Sequence, residues 1–148
     1  MTRNLNSFLQ DYERAKHATS TGVDMHAKMQ KIIIDDNCVA GDAEIISVIN
    51  KRDDLLPFFV KSAKTEVAIA GCVHNVFISR RIDRLLINKN TKTIDFIDYK
   101  TDTDKNTFIE QYRRQLKEYA ELLRSAYPDF KINGYILWLH DWMLDKII

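Results

Sequence analysis

Between Asp83 and Lys100 two β-rich runs flank a polar stretch. They are Asp83-Arg84-Leu85-Leu86-Ile87 and Thr93-Ile94-Asp95-Phe96-Ile97-Asp98-Tyr99-Lys100, separated by Asn88-Lys89-Asn90-Thr91-Lys92. That pattern folds as a β-hairpin. Facing residues in an antiparallel pair keep a constant sum of numbers. Pairing Asn88 with Thr93 therefore sets Ile87 against Ile94, Leu85 against Phe96, Asp83 against Asp98 and Arg81 against Lys100. Side chains two apart share a face, so this register puts all eight on one side of the sheet, apolar near the turn and charged away from it. Directly opposed Cβ atoms lie roughly 4.5–5.5 Å apart, and like charges there destabilise a sheet. Two facing carboxylates therefore need a cation between them, and Lys100 adds a fixed positive charge beside it. This is the minimal equipment of a metal-dependent phosphodiesterase.

The 148 residues are enough for one domain with a real core. With 45% hydrophobic and 29% charged residues the composition is that of a globular protein. There is no apolar run of the ~18 residues a membrane span requires, and Met1-Thr2-Arg3-Asn4 opens no apolar segment of signal-peptide type. A cytoplasmic protein without a membrane partner is expected. Cys38 and Cys72 fall short of the ligands of an iron–sulfur cluster or a four-cysteine zinc site and read as core residues or free thiols. The net charge of +1 argues against nucleic-acid binding by bulk electrostatics alone. It leaves room for a local basic groove from Lys61, Lys64, Arg80, Arg81, Arg84, Lys100, Lys105, Arg113 and Arg114, which read equally as a solvated surface.

Helical spacing dominates the first part of the chain, residues 1–62. Leu5, Phe8, Leu9, Tyr12 and Ala15 mark a helix over Asn4–Ala18, and Ser20-Thr21-Gly22 breaks it. Met25, Met29, Ile32 and Ile33 predict a second helix over Val23–Ile34, ended by Asp35-Asp36-Asn37. Asp42 caps a third, and Asp53-Asp54 a short fourth through Phe58 and Phe59. From residue 63 the period changes to two, with strands over Thr65–Gly71, Asn75–Ile87 and Thr93–Lys100. The last of these carries bulk on both faces and reads as a central strand. A long helix starting at Asn106 or Thr107 runs to Ala126, followed by a strand over Lys131–His140 and an edge strand over Met143–Ile148. The order predicts one α/β domain, residues 1–148, with a mixed sheet flanked by helices.

Further residues join the paired aspartates. His26 closes Gly22-Val23-Asp24-Met25-His26 on the second helix, and Gln115 and Tyr119, four apart, share a face of the long one. In order, Gly22…His26, Ile82-Asp83-Arg84-Leu85, Asp98-Tyr99-Lys100-Thr101 and Gln115…Tyr119 resemble the pattern of a RecB-type nuclease domain of the PD-(D/E)xK superfamily. The likeness runs from about residue 20 to the end. Together with Tyr127-Pro128 and Ile136-Leu137-Trp138 it is most similar to the nuclease domain that ends AddA-type helicase–nuclease subunits. One position departs: where the family has glycine three before the first aspartate, this chain has Arg80.

The resemblance implies a restriction-endonuclease-like fold and hydrolysis of DNA phosphodiesters, with DNA ends, in particular single-stranded ones, as substrate. It assigns a Mg²⁺ or Mn²⁺ ion to His26, Asp83, Asp98 and the backbone carbonyl of Tyr99, and imidazole among the donors favours Mn²⁺. It gives Lys100 the task of orienting the attacking water or stabilising the transition state, and Gln115 and Tyr119 that of positioning the lysine or the scissile strand. Glu66, Arg84 and Thr101 match supporting or DNA-contacting positions. Gln115 also reads as helix surface and Tyr119 as core. His17, His74 and His140 have no ligand partners at recognisable spacing, and Trp138 and Trp142 read as packing residues. The chain carries no Gly-x-x-x-x-Gly-Lys-Ser/Thr loop for ATP, so a motor would belong to a longer parent chain or an AddB-type partner subunit. The alternatives are a stand-alone RecB-family exonuclease and a decayed, non-catalytic DNA-binding module.

Overall fold

β-Branched and aromatic residues at a period of two build a five-stranded mixed sheet whose strands lie side by side in chain order. These strands are β3 (Lys64–Val73), β4 (Val76–Asn88), β5 (Thr93–Lys100), β6 (Lys131–Trp138) and β7 (Met143–Lys146). Neighbours are antiparallel except β5 and β6, which run parallel and are joined by a long helix. The computed structural model describes residues 20–148, so the helix expected over Asn4–Ala18, and His17, lie outside the described residues. The described helices are α1 (Ser20–Gln30), α2 (Ala43–Asn50) and α3 (Lys105–Ala126), and a single 3-10 turn spans Leu56–Phe59. No described helix is long and apolar enough to cross a membrane.

The sheet is covered on both faces. α3 lays Leu116, Tyr119, Ala120 and Leu123 on one, against Ile82, Leu85, Ile94, Phe96 and Ile136. On the other, Met29 and Ile32, Ile45 and Ile49 of α2, and Phe58 and Phe59 pack on Ile97, Tyr99 and Leu137. β5 is central and nearly continuously buried, as its bulk on both faces predicts.

Several boundaries differ from the sequence reading. Ser20-Thr21-Gly22 is helical, not a break. The second helix stops at Gln30 rather than Ile34, and Ile33–Asp35 (β1) pairs with Cys38–Ala40 (β2) as a small antiparallel hairpin. Ile32 and Ile33 continue the helical spacing of Met25 and Met29. The β-branched run turns at Asp35-Asp36-Asn37 instead, which makes a hairpin turn rather than a helix end. Asp42 does cap α2, accepting from the Glu44 and Ile45 amides. The cap assigned to Asp53-Asp54 is absent, because Asp54 takes a bidentate bond from Arg52 and Leu55 precedes the 3-10 turn without a side-chain cap. α3 starts earlier than expected, with Asp104 as its cap.

Candidate active site

The hairpin register is the expected one from Asn88↔Thr93 to Arg84↔Ile97, and there the pairing of β4 with β5 stops. β4 continues beside β3 and β5 beside β6, so the two strands part and leave a fork. Asp83 and Asp98 are the first residues beyond the last pair.

The backbone is rearranged at this point. Ile82 packs on the α3 face, and so does Leu85, an odd number of residues away. Regular alternation would put Ile82 with Arg84, whose guanidinium lies over the Phe59 ring on the opposite face. Alternation along β4 is therefore inverted around Asp83. Across from it on β3, Glu66 has φ 52 and drops out of the ladder between Thr65↔Arg84 and Val67↔Ile82. The left-handed region costs a non-glycine residue roughly 1–3 kcal/mol. The expectation that Arg81 shares a face with Lys100 fails for the same reason. It is Arg80 that reaches α3, pairing with Glu118 at 3.0 Å, while Arg81 turns toward Glu66 at 3.8 Å.

Into the fork come groups from both sides. From α1, His26 Nε2 lies 3.2 Å from the Tyr99 carbonyl oxygen and 3.8 Å from Asp83 Oδ2. Asp83 Oδ2 accepts the Tyr99 amide at 2.7 Å, filling the place of the missing ladder bond. From the α3 side, Lys100 Nζ lies 2.7 Å from Asp98 Oδ2, donates to Gln115 Oε1 at 2.9 Å and sits 4.2 Å from the centre of the Tyr112 ring. Gln115 Nε2 donates in turn to the Tyr119 hydroxyl at 2.7 Å. A chain Tyr119–Gln115–Lys100–Asp98 thus runs from α3 to the end of β5.

The electrostatics are those of crowded acid groups. Burial, followed by the charge of Asp98, pushes the Asp83 carboxyl far up, to about 8, against the lowering effect of the Tyr99 amide and Lys100. Asp98 is 4% exposed, and its Oδ2 makes no hydrogen bond: the Lys100 ammonium is at ion-pair distance but off hydrogen-bonding geometry. Burial also drives the Tyr99 phenol up to about 12 and the Tyr119 phenol higher still.

A divalent cation fits these donors. A buried carboxyl disfavoured as an anion is relieved by a positive ion, and His26 Nε2, Asp83 Oδ2 and the Tyr99 carbonyl already face one another. Among the described residues no three His, Cys, Asp or Glu side chains stand ready-made as a cluster, since Asp98 is turned to Lys100.

The supporting residues divide. Glu66 is at the fork. Arg84, 1% exposed, has no surface to offer DNA. It donates from Nε to the Tyr99 hydroxyl at 2.8 Å, and from its terminal nitrogens to the Phe58, Met29 and Ile32 carbonyls at 3.1, 2.8 and 3.3 Å. This clasp joins the end of α1, and with it His26, to β4 and β5; the run of charges in the sequence hid it among groove candidates. Thr101 follows β5, half-buried, and is not drawn into the network. Trp138 is a core residue and Trp142 packs at the core edge, while Cys72 is exposed.

Fold and fork together define a mixed α/β protein with acidic and basic side chains gathered, largely buried, at the parting of two central strands. No protein-family model matches the chain, and no curated protein matches it.

Proposed function

We propose that the chain is a Mg²⁺- or Mn²⁺-dependent DNA nuclease of restriction-endonuclease-like fold, similar to the RecB-type domain of AddA-type helicase–nucleases. One observation carries the reading. Past the last paired residues of a hairpin, a histidine, two aspartates, a backbone carbonyl and a glutamine-held lysine meet within 2.7–3.8 Å of their nearest neighbours. His26, Asp83, Asp98 and the Tyr99 carbonyl would hold the cation, which when bound supplies charge neutralisation at the phosphate and a more acidic water.

The chain's own groups do the rest. Gln115 fixes the Lys100 ammonium at the mouth of the fork, where it orients a water or a non-bridging phosphate oxygen. Its charge is least screened there because the site is largely buried. The Tyr119 hydroxyl anchors the far end of Gln115. Burial pushes its phenol up, and its bond from Gln115 gives it a positioning role. Asp98 holds Lys100 from the β5 side as an ion pair at 2.7 Å.

End-labelled linear and circular single-stranded DNA incubated with Mn²⁺ tests the reading. Cleavage by the wild type, reduced about 100–1000-fold in Lys100→Ala, is expected. Intact wild-type digests, or a fully active Lys100→Ala, would overturn it.

A further inference from the structure

Beyond the fork the β3–β4 hairpin runs on to a two-residue turn at His74-Asn75, where both residues have positive φ. One face of this arm is closed: Ile78 is buried, and a Cβ on Gly71 would come within 2.9 Å of Leu122 Cδ2 on α3. The other face is open. Ala68, Ala70 and Cys72 of β3 and Phe77, Ser79 and Arg81 of β4 are all exposed. By register they stand as cross-strand pairs, Ala68↔Arg81, Ala70↔Ser79 and Cys72↔Phe77. Phe77 is 69% exposed, the highest value among the large apolar residues described.

Between Glu66 and Asp83 there is no acidic residue, and there are two arginines. Arg80 is engaged with Glu118 on the closed face, whereas Arg81, 3.8 Å from Glu66 at the inner end of the lane, keeps its side chain 64% exposed on the open one. A flat lane of small side chains, an arginine near its inner end and an unpacked aromatic at its outer end suit a sugar–phosphate strand whose bases can stack, since stacking on an aromatic needs no particular base. From Asp83 to Phe77 a strand rises about 20 Å, roughly the length of six stacked nucleotides.

We propose that this open face is a single-strand guide, on which Phe77 stacks a base of the strand leading to the fork and Arg81 takes a phosphate. The proposal rests on the nuclease reading for where the strand leads, but binding to the lane is a property in its own right.

Two probes separate the two. A fluorescein-labelled oligothymidylate long enough to span the lane is titrated by anisotropy in chelator, where nothing is cut. The p-nitrophenyl ester of thymidine monophosphate, which reaches only the fork, is followed with Mn²⁺. Phe77→Ala is expected to bind the oligonucleotide about tenfold more weakly or worse and to turn over the small ester as the wild type does. Arg81→Ala is expected to flatten the salt dependence of binding. Phe77→Ala binding as tightly as wild type, or a wild type that does not bind, would overturn the guide, whatever the ester shows. A Phe77→Ala that binds normally but changes a sedimenting dimer to a monomer would assign the lane to a second copy of the chain and likewise overturn the proposal. Lost binding in Phe77→Ala with a wild type that cleaves neither probe would sink the nuclease reading and leave the guide standing.

Discussion

Burial and a neighbouring carboxylate both disfavour the Asp83 anion. Its carboxyl is raised from an ordinary value near 3.8 to about 8, by burial first and by Asp98 second. The folded chain therefore holds a proton there that the unfolded chain has lost. Linkage fixes the sign: the contribution to stability is full below about 3.8, falls as pH rises through the window up to about 8, and is gone above it. In chelator, urea unfolding of the wild type should show stability declining from pH 5 to pH 8, and Asp83→Asn should remove much of that slope and be the more stable protein at pH 8. An unchanged slope in the variant would place the titration elsewhere. Cation binding must expel the same proton, so Mn²⁺ affinity should rise with pH over this range. The sequence register set Asp83 opposite Asp98, but strand pairing ends one step short of them. Their unequal surroundings were not legible in it, because those depend on which side of the fork each carboxyl meets: the Tyr99 amide for one, the Lys100 ammonium for the other.

Among elements, the hairpin register was legible as far as Arg84↔Ile97 and misleading past it. A constant sum of residue numbers holds only while strands stay paired, and the parting of β4 from β5 breaks both pairing and alternation. The signal for the break sits on another strand, in the positive φ of Glu66, and no pattern within β4 announces it. α1 offers a second case. Its apolar spacing was legible, but its end was fixed by Arg84, far along the chain, which takes the Met29 and Ile32 carbonyls. A buried guanidinium with four bonded acceptors cannot be replaced by a lysine, which lacks the planar fork. Arg84→Lys should lower unfolding stability by about 2–4 kcal/mol, and amide exchange in α1 should accelerate more than in α3. Equal acceleration in both helices would mean that the clasp is not local. On β6, a Cβ at Gly134 would fall 2.4 Å from the buried Phe96 ring. Gly134→Ala should cost about 1–3 kcal/mol through displacement of that ring from under Tyr119. A thermal melt matching wild type would show that Phe96 has room to move.

At the scale of the whole molecule, a net charge of +1 gives little long-range pull on a polyanion. Binding of single-stranded DNA to the isolated chain should be weak and steeply salt-dependent, readable as a large loss of anisotropy signal between low and physiological salt. Feeding of a strand by a motor would supply the missing local concentration, and tight binding at physiological salt would instead favour a nuclease that works alone. The α/β class, the central place of β5 and the helices on both faces follow from periodicity and burial and were legible before any coordinates. The two-sided fork is a tertiary property and was not. The proposed function requires that this fork bind a divalent cation through His26, Asp83, Asp98 and the Tyr99 carbonyl. Thermal melting of wild type and Asp98→Asn, each with chelator and with added Mn²⁺, tests it most directly. Without metal the variant should melt below the wild type at neutral pH, since Asp83 is already protonated there and the buried Lys100 loses its carboxylate partner, although Gln115 and the Tyr112 ring still hold the ammonium in place. With Mn²⁺ the wild type should melt higher by mass action and the variant should not move. A wild type indifferent to Mn²⁺, or a variant stabilised as much as the wild type, would contradict the account.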